Sequence, residues 1–370
     1  MKLVSGGNLG GLRMIPITKP QIDDKEIEAV KRVLQSGWLV RGKKVEEFEE
    51  RLKDFIDVPY AIATTSCTTA LHLALMVLGI GRGDEVIIPA FTWVATANVV
   101  EMVGATPVFV DVHLDTYNID PNLIKRAITK KTKAIMPVHL FGLSADMKPI
   151  LKLAEKYNLK VIEDCACSLG TLYRGKHTGT WGDVGCFSFH PRKVITTGEG
   201  GLFITKDKKL YEKALAIHDH GGTKYKLVGS NYRMTDIQGA IGIEQMKKLP
   251  DILNKRLERA MEYKFWTILS PTPLIPFPNS NHTYQSYVLL THRSNGERIK
   301  KLAKKGIATI YGTQSVPMLP YYRDKYHYQS NSFPNTEYLR ACTLTIPLYA
   351  NMTNEEQEYV QRNVENSFSR

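Results

Sequence analysis

The feature that most constrains the fold is an alternation of short apolar segments with helical ones between about residues 60 and 205. The apolar segments are 85–89, 106–112, 134–138 and 160–163, and segments of helical periodicity lie between them at 96–103, 121–128 and 147–157. Strands that are apolar along their whole length are typical of a parallel sheet covered by helices on both faces. We therefore predict an α/β fold with a mostly parallel mixed sheet.

The regular alternation of strands and helices ends after a helical stretch that begins at Asp236. We predict one helix at 236–246, a connecting helix at 250–267, and then a proline-rich segment at 270–278. A strand at 284–290 and helices at 298–305 and 354–368 follow, which indicates a smaller α+β domain. The predicted organisation is an N-terminal leader (1–22), a large domain (23–250) and a small C-terminal domain (251–370).

Composition narrows the functional class. The net charge is +12, but the lysines are scattered through helices, which argues against a nucleic-acid surface. No apolar run approaches the ~18 residues of a membrane span, and residues 1–14 lack the apolar core of a signal peptide. Five cysteines, an odd number without regular spacing, favour reduced thiols in the cytoplasm. A soluble enzyme without a membrane or nucleic-acid partner is expected.

Chemically useful groups follow three of these apolar segments and the strand-like run at 185–189. They are Trp93, His139, Asp164 and Lys193. Each has an ordinary explanation, since tryptophans fill cores, aspartates cap helices and lysines cover surfaces. In a parallel sheet, however, the carboxyl ends of the strands meet at one edge, where ligands bind. These groups are therefore predicted to converge.

An amine, a carboxylate and a helix start together suit a phosphorylated aldehyde cofactor. Lys193 lies between a strand-like segment and a glycine-rich turn, where a partly desolvated amine could form a Schiff base. Asp164 could keep a pyridine nitrogen protonated, which makes such a ring an electron sink. Residues 66–69 (SCTT) precede a helical run and could bind phosphate through free N–H groups, although they could also be simple caps.

The stretch SFHPRKVITTGEGG (188–201) closely resembles the lysine segment of the DegT/DnrJ/EryC1/StrS family of sugar aminotransferases, which includes perosamine and viosamine synthases. The resemblance runs from about residue 17 to 245. Further motifs in the family's order are QSGWLVRG, SCTTALHLAL, GDEVIIPAFTWVAT, PVHLFG, EDCACSLG and GSNYRM.

The resemblance implies a fold-type-I aminotransferase that uses pyridoxal 5'-phosphate, with no metal. It implies that Lys193 holds the cofactor covalently and shuttles the proton, and that Asp164 pairs with the ring nitrogen. The remaining implied cofactor contacts are Trp93 on the ring, Cys67, Thr68 and Ser188 on the phosphate, Cys167 near the ring hydroxyl, and Asn231 reaching the phosphate of the neighbouring subunit. The resemblance therefore implies a homodimer with shared active sites.

Two positions depart from the family pattern. Cys167 stands where the family has glutamine or histidine, and a thiol is a weak hydrogen-bond partner. Residues 306–320 (GIATIYGTQSVPMLP) lack the histidine-containing segment that many sugar-nucleotide members carry on the substrate side. The second departure leaves the identity of the acceptor open but does not change the expected cofactor chemistry.

The expected reaction moves an amino group from an amino acid, L-glutamate by family habit, to the C4 ketone of a nucleotide-linked 4-keto-6-deoxy sugar in surface-polysaccharide biosynthesis. A 3-keto sugar or a small phosphorylated ketone is an alternative acceptor. A sugar dehydratase of this fold would have histidine in place of Lys193. A non-catalytic regulator would need an added DNA-binding domain, for which no pattern is present. The glycines at 79–83 follow a helix, which is the wrong context for a dinucleotide site.

Overall fold

The computed structural model describes residues 14–224, 226–263, 277–291 and 293–368. The predicted leader therefore lies mostly outside the described residues, as does most of the proline-rich segment. The strands, numbered in chain order, are β1 (Tyr60–Thr64), β2 (Glu85–Pro89), β3 (Phe91–Thr92), β4 (Thr106–Val110), β5 (Thr132–Ile135), β6 (Lys160–Asp164), β7 (Leu172–Tyr173), β8 (Lys176–His177), β9 (Val184–Ser188), β10 (Gly201–Thr205), β11 (Tyr287–Leu290), β12 (Gln314–Ser315) and β13 (Thr343–Ile346).

Helices connect the strands and continue to the C-terminal region. They are α1 (Asp24–Ser36), α2 (Lys43–Ile56), α3 (Cys67–Val77), α4 (Ala95–Met102), α5 (Pro121–Ala127), α6 (Met147–Tyr157), α7 (Lys208–His218), α8 (Asp236–Glu262), α9 (Gly296–Lys304), α10 (Pro320–Tyr326), α11 (Pro334–Cys342) and α12 (Asn354–Asn366). None of the described helices is both long and apolar enough to cross a membrane.

The large sheet has seven strands in the order β1-β10-β9-β6-β5-β2-β4. The pairs from β9 to β4 are parallel, and β10 runs antiparallel to both of its neighbours. The predicted α/β fold with a mostly parallel mixed sheet is confirmed. The predicted bounds of β2 and α6 agree with the structure, whereas β5 begins two residues earlier than expected.

Apolar side chains on the two faces of the sheet form separate core clusters. On one face, α3 packs its leucines against Ile62 and Phe203, all of them fully buried. On the other face, Phe48 of α2 and Ile243 of α8 pack near Leu202. Neighbouring residues of a strand thus bury on opposite sides, as the pleat requires. Each such side chain contributes about 1.5–3 kcal/mol through burial, which fixes the sheet between its helices.

Helix α8 differs from the prediction of two helices separated near residue 250. It is continuous over 27 residues and contains Pro250 in its interior. Proline removes one helical hydrogen bond and usually ends a helix. Here Leu249 and Ile252 flank the proline and are buried in the core beneath the sheet. Tertiary packing on both sides therefore holds the helix together through the proline.

The C-terminal region contributes one small sheet and one extra strand pair. Strands β11 and β13 pair antiparallel, and their side chains share an apolar cluster with Val360 and Val364 of α12. Strand β12 leaves this region and pairs with β3 of the large sheet's periphery, so that Gln314 lies opposite Thr92. The division into domains at residue 250 stays a prediction, because α8 runs through that position.

Candidate active site

Three chain segments meet at the carboxyl edge of the central strands. Strands β6 and β9 are parallel, with Asp164 opposite Cys186, so both strands end on this edge. Gly201, the first residue of β10, pairs with Ser188 at the end of β9 and with Thr64 at the end of β1. The edge therefore brings together the start of α3, the end of β6 and the loop between β9 and β10.

Asp164 is a buried carboxylate at the end of β6, with 4% of its surface exposed. One carboxylate oxygen accepts a hydrogen bond from the hydroxyl of Thr96 (2.9 Å) and the other accepts from the N–H of Ala166 (3.1 Å). Among the described residues, no cationic group forms an ion pair with it. Burial raises the pKa of Asp164, and the positive charge of Lys193 opposes that effect only in part.

A buried carboxylate without a countercharge is costly unless a ligand supplies one. The protonated nitrogen of a pyridine ring is a cation of suitable size, and it would lower the pKa that burial raises. Asp164 therefore fits the ring-nitrogen role that the sequence predicts for it.

Lys193 lies in the loop between β9 and β10 and is half-buried. Its ammonium nitrogen donates to the Sγ atom of Cys167 at 3.2 Å, three residues beyond Asp164. The loop backbone is tied down on both sides, since the N–H of Lys193 donates to the carbonyl of His190. The side-chain amide of Gln285 also donates to the carbonyl of Arg192, at 2.8 Å. The structure thus brings the predicted amine, thiol and carboxylate into one cluster.

Helix α3 directs its N-terminus at the same edge. Ser66 caps the helix, and its hydroxyl accepts from the N–H of Thr69 at 3.1 Å. In the part of the chain that the structure describes, no protein group accepts from the N–H groups of Cys67 and Thr68. The first turn of a helix leaves such donors free, and the helix dipole favours an anion there. These two residues therefore fit a phosphate, as predicted.

Gly201 makes this arrangement possible through close packing. A Cβ atom at position 201 would lie 2.3 Å from the carbonyl carbon of Ser66 and 2.5 Å from the backbone nitrogen of Cys67, in the turn that starts α3. Both contacts are with backbone atoms, which cannot move aside without shifting the helix. The Cys67 side chain is buried inward, with Sγ 3.6 Å from the carbonyl of Cys186. Only the backbone of Cys67 is therefore available to an anion.

Trp93 and Asn231 lie at the surface, unlike the groups above. Trp93 is 49% exposed. Its carbonyl accepts from the N–H of Thr96, the residue whose hydroxyl contacts Asp164. Asn231 is exposed and lies beside the start of α3, because the carbonyl of its neighbour Tyr232 accepts from the N–H of Thr65. An exposed indole face and an exposed amide can serve a ligand or a second subunit.

His139, also considered from the sequence, has a structural role. Its Nδ1 accepts from the N–H of Ala145 and its Nε2 lies 2.9 Å from a carboxylate oxygen of Glu163. The carboxylate of Glu163 also accepts from backbone N–H groups at positions 179, 181 and 182. Ligand atoms of His139, Glu163 and Cys165 lie within 4.8 Å of one another, but a metal would have to displace these hydrogen bonds.

Sequence reasoning missed two residues that support the site. Thr96 anchors Asp164, and its position three residues after Trp93 on a helix was the available signal. Gln285 holds the backbone beside Lys193 from 93 residues away in sequence, and no local pattern indicated it.

The segment that departs from the family pattern also reaches the site. Gln314 and Ser315 pair with Thr92 and Phe91, directly before Trp93. Gln314 and Ser315 therefore bring this segment next to the chain that leads into Trp93.

Known proteins match this chain over nearly its whole length. The sequence profile of the DegT/DnrJ/EryC1/StrS aminotransferase family matches residues 20–365. GDP-perosamine synthase of Escherichia coli O157:H7 is 37% identical over 370 residues, covering 97% of this chain and 100% of the relative. Spore coat polysaccharide biosynthesis protein SpsC of Bacillus subtilis (strain 168) is 36% identical, covering 94% and 95%. Among solved structures, Helicobacter pylori PseC, an aminotransferase involved in the biosynthesis of pseudoaminic acid, matches with a TM-score of 0.90 at 30% identity, covering 96% of this chain and 99% of that one.

Proposed function

Since the chain belongs to the DegT/DnrJ/EryC1/StrS aminotransferase family, we propose that it moves an amino group from L-glutamate to the C4 ketone of a nucleotide-linked 4-keto-6-deoxy sugar. Membership makes the chain a sugar aminotransferase that depends on pyridoxal phosphate. The donor, the nucleotide and the ring carbon belong to the proposal. So does the cytoplasm as the place of reaction, where thiols such as Cys167 remain reduced.

The observation that carries the proposal is the cluster of Lys193, Cys167 and Asp164. An amine is held 3.2 Å from a thiol, and this thiol lies three residues from a buried carboxylate that has no ion pair among the described residues. This set suits a cofactor with an aldehyde at one position and a ring nitrogen at another. A dehydratase of this fold is disfavoured, because Lys193 is present in place of histidine.

Each residue of the cluster has a separate task in the proposal. Bound pyridoxal phosphate supplies an electron sink, which stabilises negative charge at the substrate carbon. The carboxylate of Asp164 maintains the positive charge that makes the sink effective. As a free amine, the Nζ atom of Lys193 would remove the proton from the donor carbon that bears the amino group and shuttle it between the substrate carbon and the cofactor. Thr96 keeps the Asp164 carboxylate oriented by its 2.9 Å hydrogen bond.

The remaining site residues hold and orient the cofactor. The N–H groups of Cys67 and Thr68 and the hydroxyl of Ser188 bind its phosphate, and Trp93 lies against its ring. Cys167 faces the ring hydroxyl, as a weaker partner than the glutamine or histidine of the family. Its contact with Lys193 supports that placement, because the aldehyde that Lys193 would bind and the ring hydroxyl are neighbouring substituents of pyridoxal phosphate.

Support for the acceptor comes from the relatives and from the segment 311–316. One relative is a GDP-perosamine synthase and another is a spore coat polysaccharide biosynthesis protein, which favours a sugar nucleotide destined for a surface polysaccharide. Segment 311–316 lies beside Trp93 and carries hydroxyl and amide groups but no charge. Such groups suit the hydroxyls of a sugar ring.

The acceptor is tested with the pyridoxamine form of the enzyme. We expect nucleotide-linked 4-keto-6-deoxy sugars to restore the aldehyde form in a single turnover, as followed by absorbance. The 3-keto isomers and small phosphorylated ketones should react at least about 100-fold more slowly, since a misplaced carbonyl costs several kcal/mol of orientation. Faster reaction with either comparison ketone would overturn the acceptor assignment and leave the aminotransferase intact.

A homodimer with shared active sites is the second part of the proposal. Exposed apolar side chains lie near the start of α8, namely Trp38 (59%) and Val40 (60%), and the exposed Val228 (87%) precedes this helix in the chain. The N–H of Asp236 donates to the carbonyls of Leu39 and Val40, so these residues lie on the same side of the molecule. Asn231 is exposed in this region. A second copy would cover the apolar groups and receive the amide of Asn231.

Mixing two defective variants tests the shared site. Lys193→Ala removes the amine. Asn231→Ala weakens cofactor binding, so that the affected site is empty when the cofactor is limiting. If the sites are shared, random co-assembly should restore about one quarter of the wild-type sites, because half of the dimers then contain one intact site. Sedimentation should give a particle of twice 41.8 kDa. An active particle of the single-chain mass would contradict the proposal.

A further inference from the structure

Arg192 differs from the other partly buried arginines of the described chain. Those arginines have partners: the guanidinium groups of Arg41 and Arg233 pair with carboxylates, Arg256 donates to carbonyls, and Arg340 covers the ring of Tyr311. Further partnered examples are Arg51, Arg259 and Arg298. Within the described residues, the Arg192 guanidinium has no hydrogen bond, ion pair or ring contact.

The position of Arg192 relates it to the catalytic cluster. It precedes Lys193 directly, and Gln285 holds its carbonyl at 2.8 Å, which fixes the start of its side chain. Its guanidinium lies within electrostatic range of the Cys167 thiol, the group that contacts the Lys193 amine. Burial lowers the pKa of Arg192, and no carboxylate of the described residues opposes this effect. A partly desolvated cation thus lies within electrostatic range of the thiol that contacts the reacting amine.

We propose that Arg192 binds a carboxylate of the amino donor. The inference rests on the proposed function and names how that site recognises its first substrate. A guanidinium presents its N–H groups in a planar fork that matches a carboxylate, and the cost of its desolvation is recovered when the carboxylate arrives. In an amino acid the α-carboxylate lies two bonds from the amine. A donor whose amine reaches the position of Lys193 therefore brings that carboxylate close to the neighbouring residue.

The two other anions of the reaction fit this cation less well. The cofactor phosphate would be bound by the N–H groups at the start of α3, where Cys67 and Thr68 lie. The phosphates of a nucleotide-linked sugar are separated from a C4 ketone by the width of the sugar ring. A small phosphorylated ketone would place its phosphate nearer, and the experiment below separates that case from the donor carboxylate.

The test compares Arg192→Gln and Arg192→Lys with the matched control Arg126→Gln, which removes the same charge from an exposed position of α5. Isothermal titration of the aldehyde-form enzyme with glutarate, a dicarboxylate that lacks an amine, measures binding without turnover. We expect Arg192→Gln to weaken glutarate binding and to raise the KM for L-glutamate by about 10- to 100-fold, the effect of removing a charged hydrogen-bond donor. Arg192→Lys should recover only part of the loss, and Arg126→Gln should match wild type.

The outcomes separate this inference from the proposed function. Unchanged glutarate binding and an unchanged KM for L-glutamate in Arg192→Gln would overturn the role of Arg192 while the enzyme remained an aminotransferase. A raised KM for the ketone acceptor with unchanged glutarate binding would assign Arg192 to an acceptor phosphate instead. Wild-type enzyme that binds no glutarate and uses no amino acid would overturn both.

Discussion

Lys193→Ala is expected to lower the transamination rate by at least about 10⁴-fold, because one side chain supplies both the covalent attachment and the proton transfer. Positioned acid–base groups alone contribute about 10²–10⁴-fold. The fold should survive, since the Lys193 side chain is half-buried and its hydrogen bond goes to a single thiol. A thermal midpoint close to that of wild type and turnover with L-glutamate are the two measurements.

Two further variants distinguish the chemistry of Lys193 from its charge. Lys193→Arg retains the positive charge beside Cys167 but lacks an amine that can bond covalently or transfer a proton at neutral pH, so its loss should equal that of alanine. Small added amines should partly restore turnover in Lys193→Ala by occupying the space of the missing side chain. The exposed Lys152 of α6 is the matched control for alanine substitution. Turnover above a tenth of wild type in Lys193→Ala would refute the assignment.

The sequence predicts the elements of the large sheet better than their order. Segments such as β2 and α6 are recognisable because apolar runs and helical periodicity are local properties. The position of β10 between β1 and β9 depends on contacts between distant segments, including the approach of Gly201 to the start of α3. The helix break predicted at Pro250 was wrong because buried neighbours on both sides of a proline override its local effect.

The candidate site shows the same division. Lys193 and Asp164 were predictable, since each lies at or shortly after the carboxyl end of a predicted strand. Gln285 was not, because it joins the loop of Lys193 through one long-range hydrogen bond. That Arg192 lacks a partner for its guanidinium within the described part of the chain also becomes visible only in three dimensions, where the partners of the other buried arginines can be compared.

Asp164→Asn should leave a folded protein whose turnover is lower by about 10²- to 10⁴-fold, because losing one member of a buried charge pair costs about 3–5 kcal/mol. The amide can still accept from Ala166, and the hydroxyl of Thr96 can act as acceptor toward the new NH₂ group. The comparison variant Asp164→Ala removes these hydrogen bonds as well as the charge. A rate of Asp164→Asn near that of wild type would exclude the electron-sink role.

The stability of the cofactor-free protein gives an independent test of Asp164. Burial raises the pKa of this carboxyl above its ordinary value of 3.8 in the folded state. The folded state therefore binds the proton more tightly than the unfolded state, and the free energy of unfolding decreases as pH rises from about that value through the raised pKa. Asparagine has no charge to desolvate, so Asp164→Asn should be as stable as wild type in acid and more stable at neutral pH. Bound cofactor should reverse this order, because its ring cation stabilises the carboxylate that asparagine lacks. Thermal midpoints of both proteins, measured with and without pyridoxal phosphate across that pH range, decide whether position 164 is a ligand for a cation or only a hydrogen-bonded end of β6.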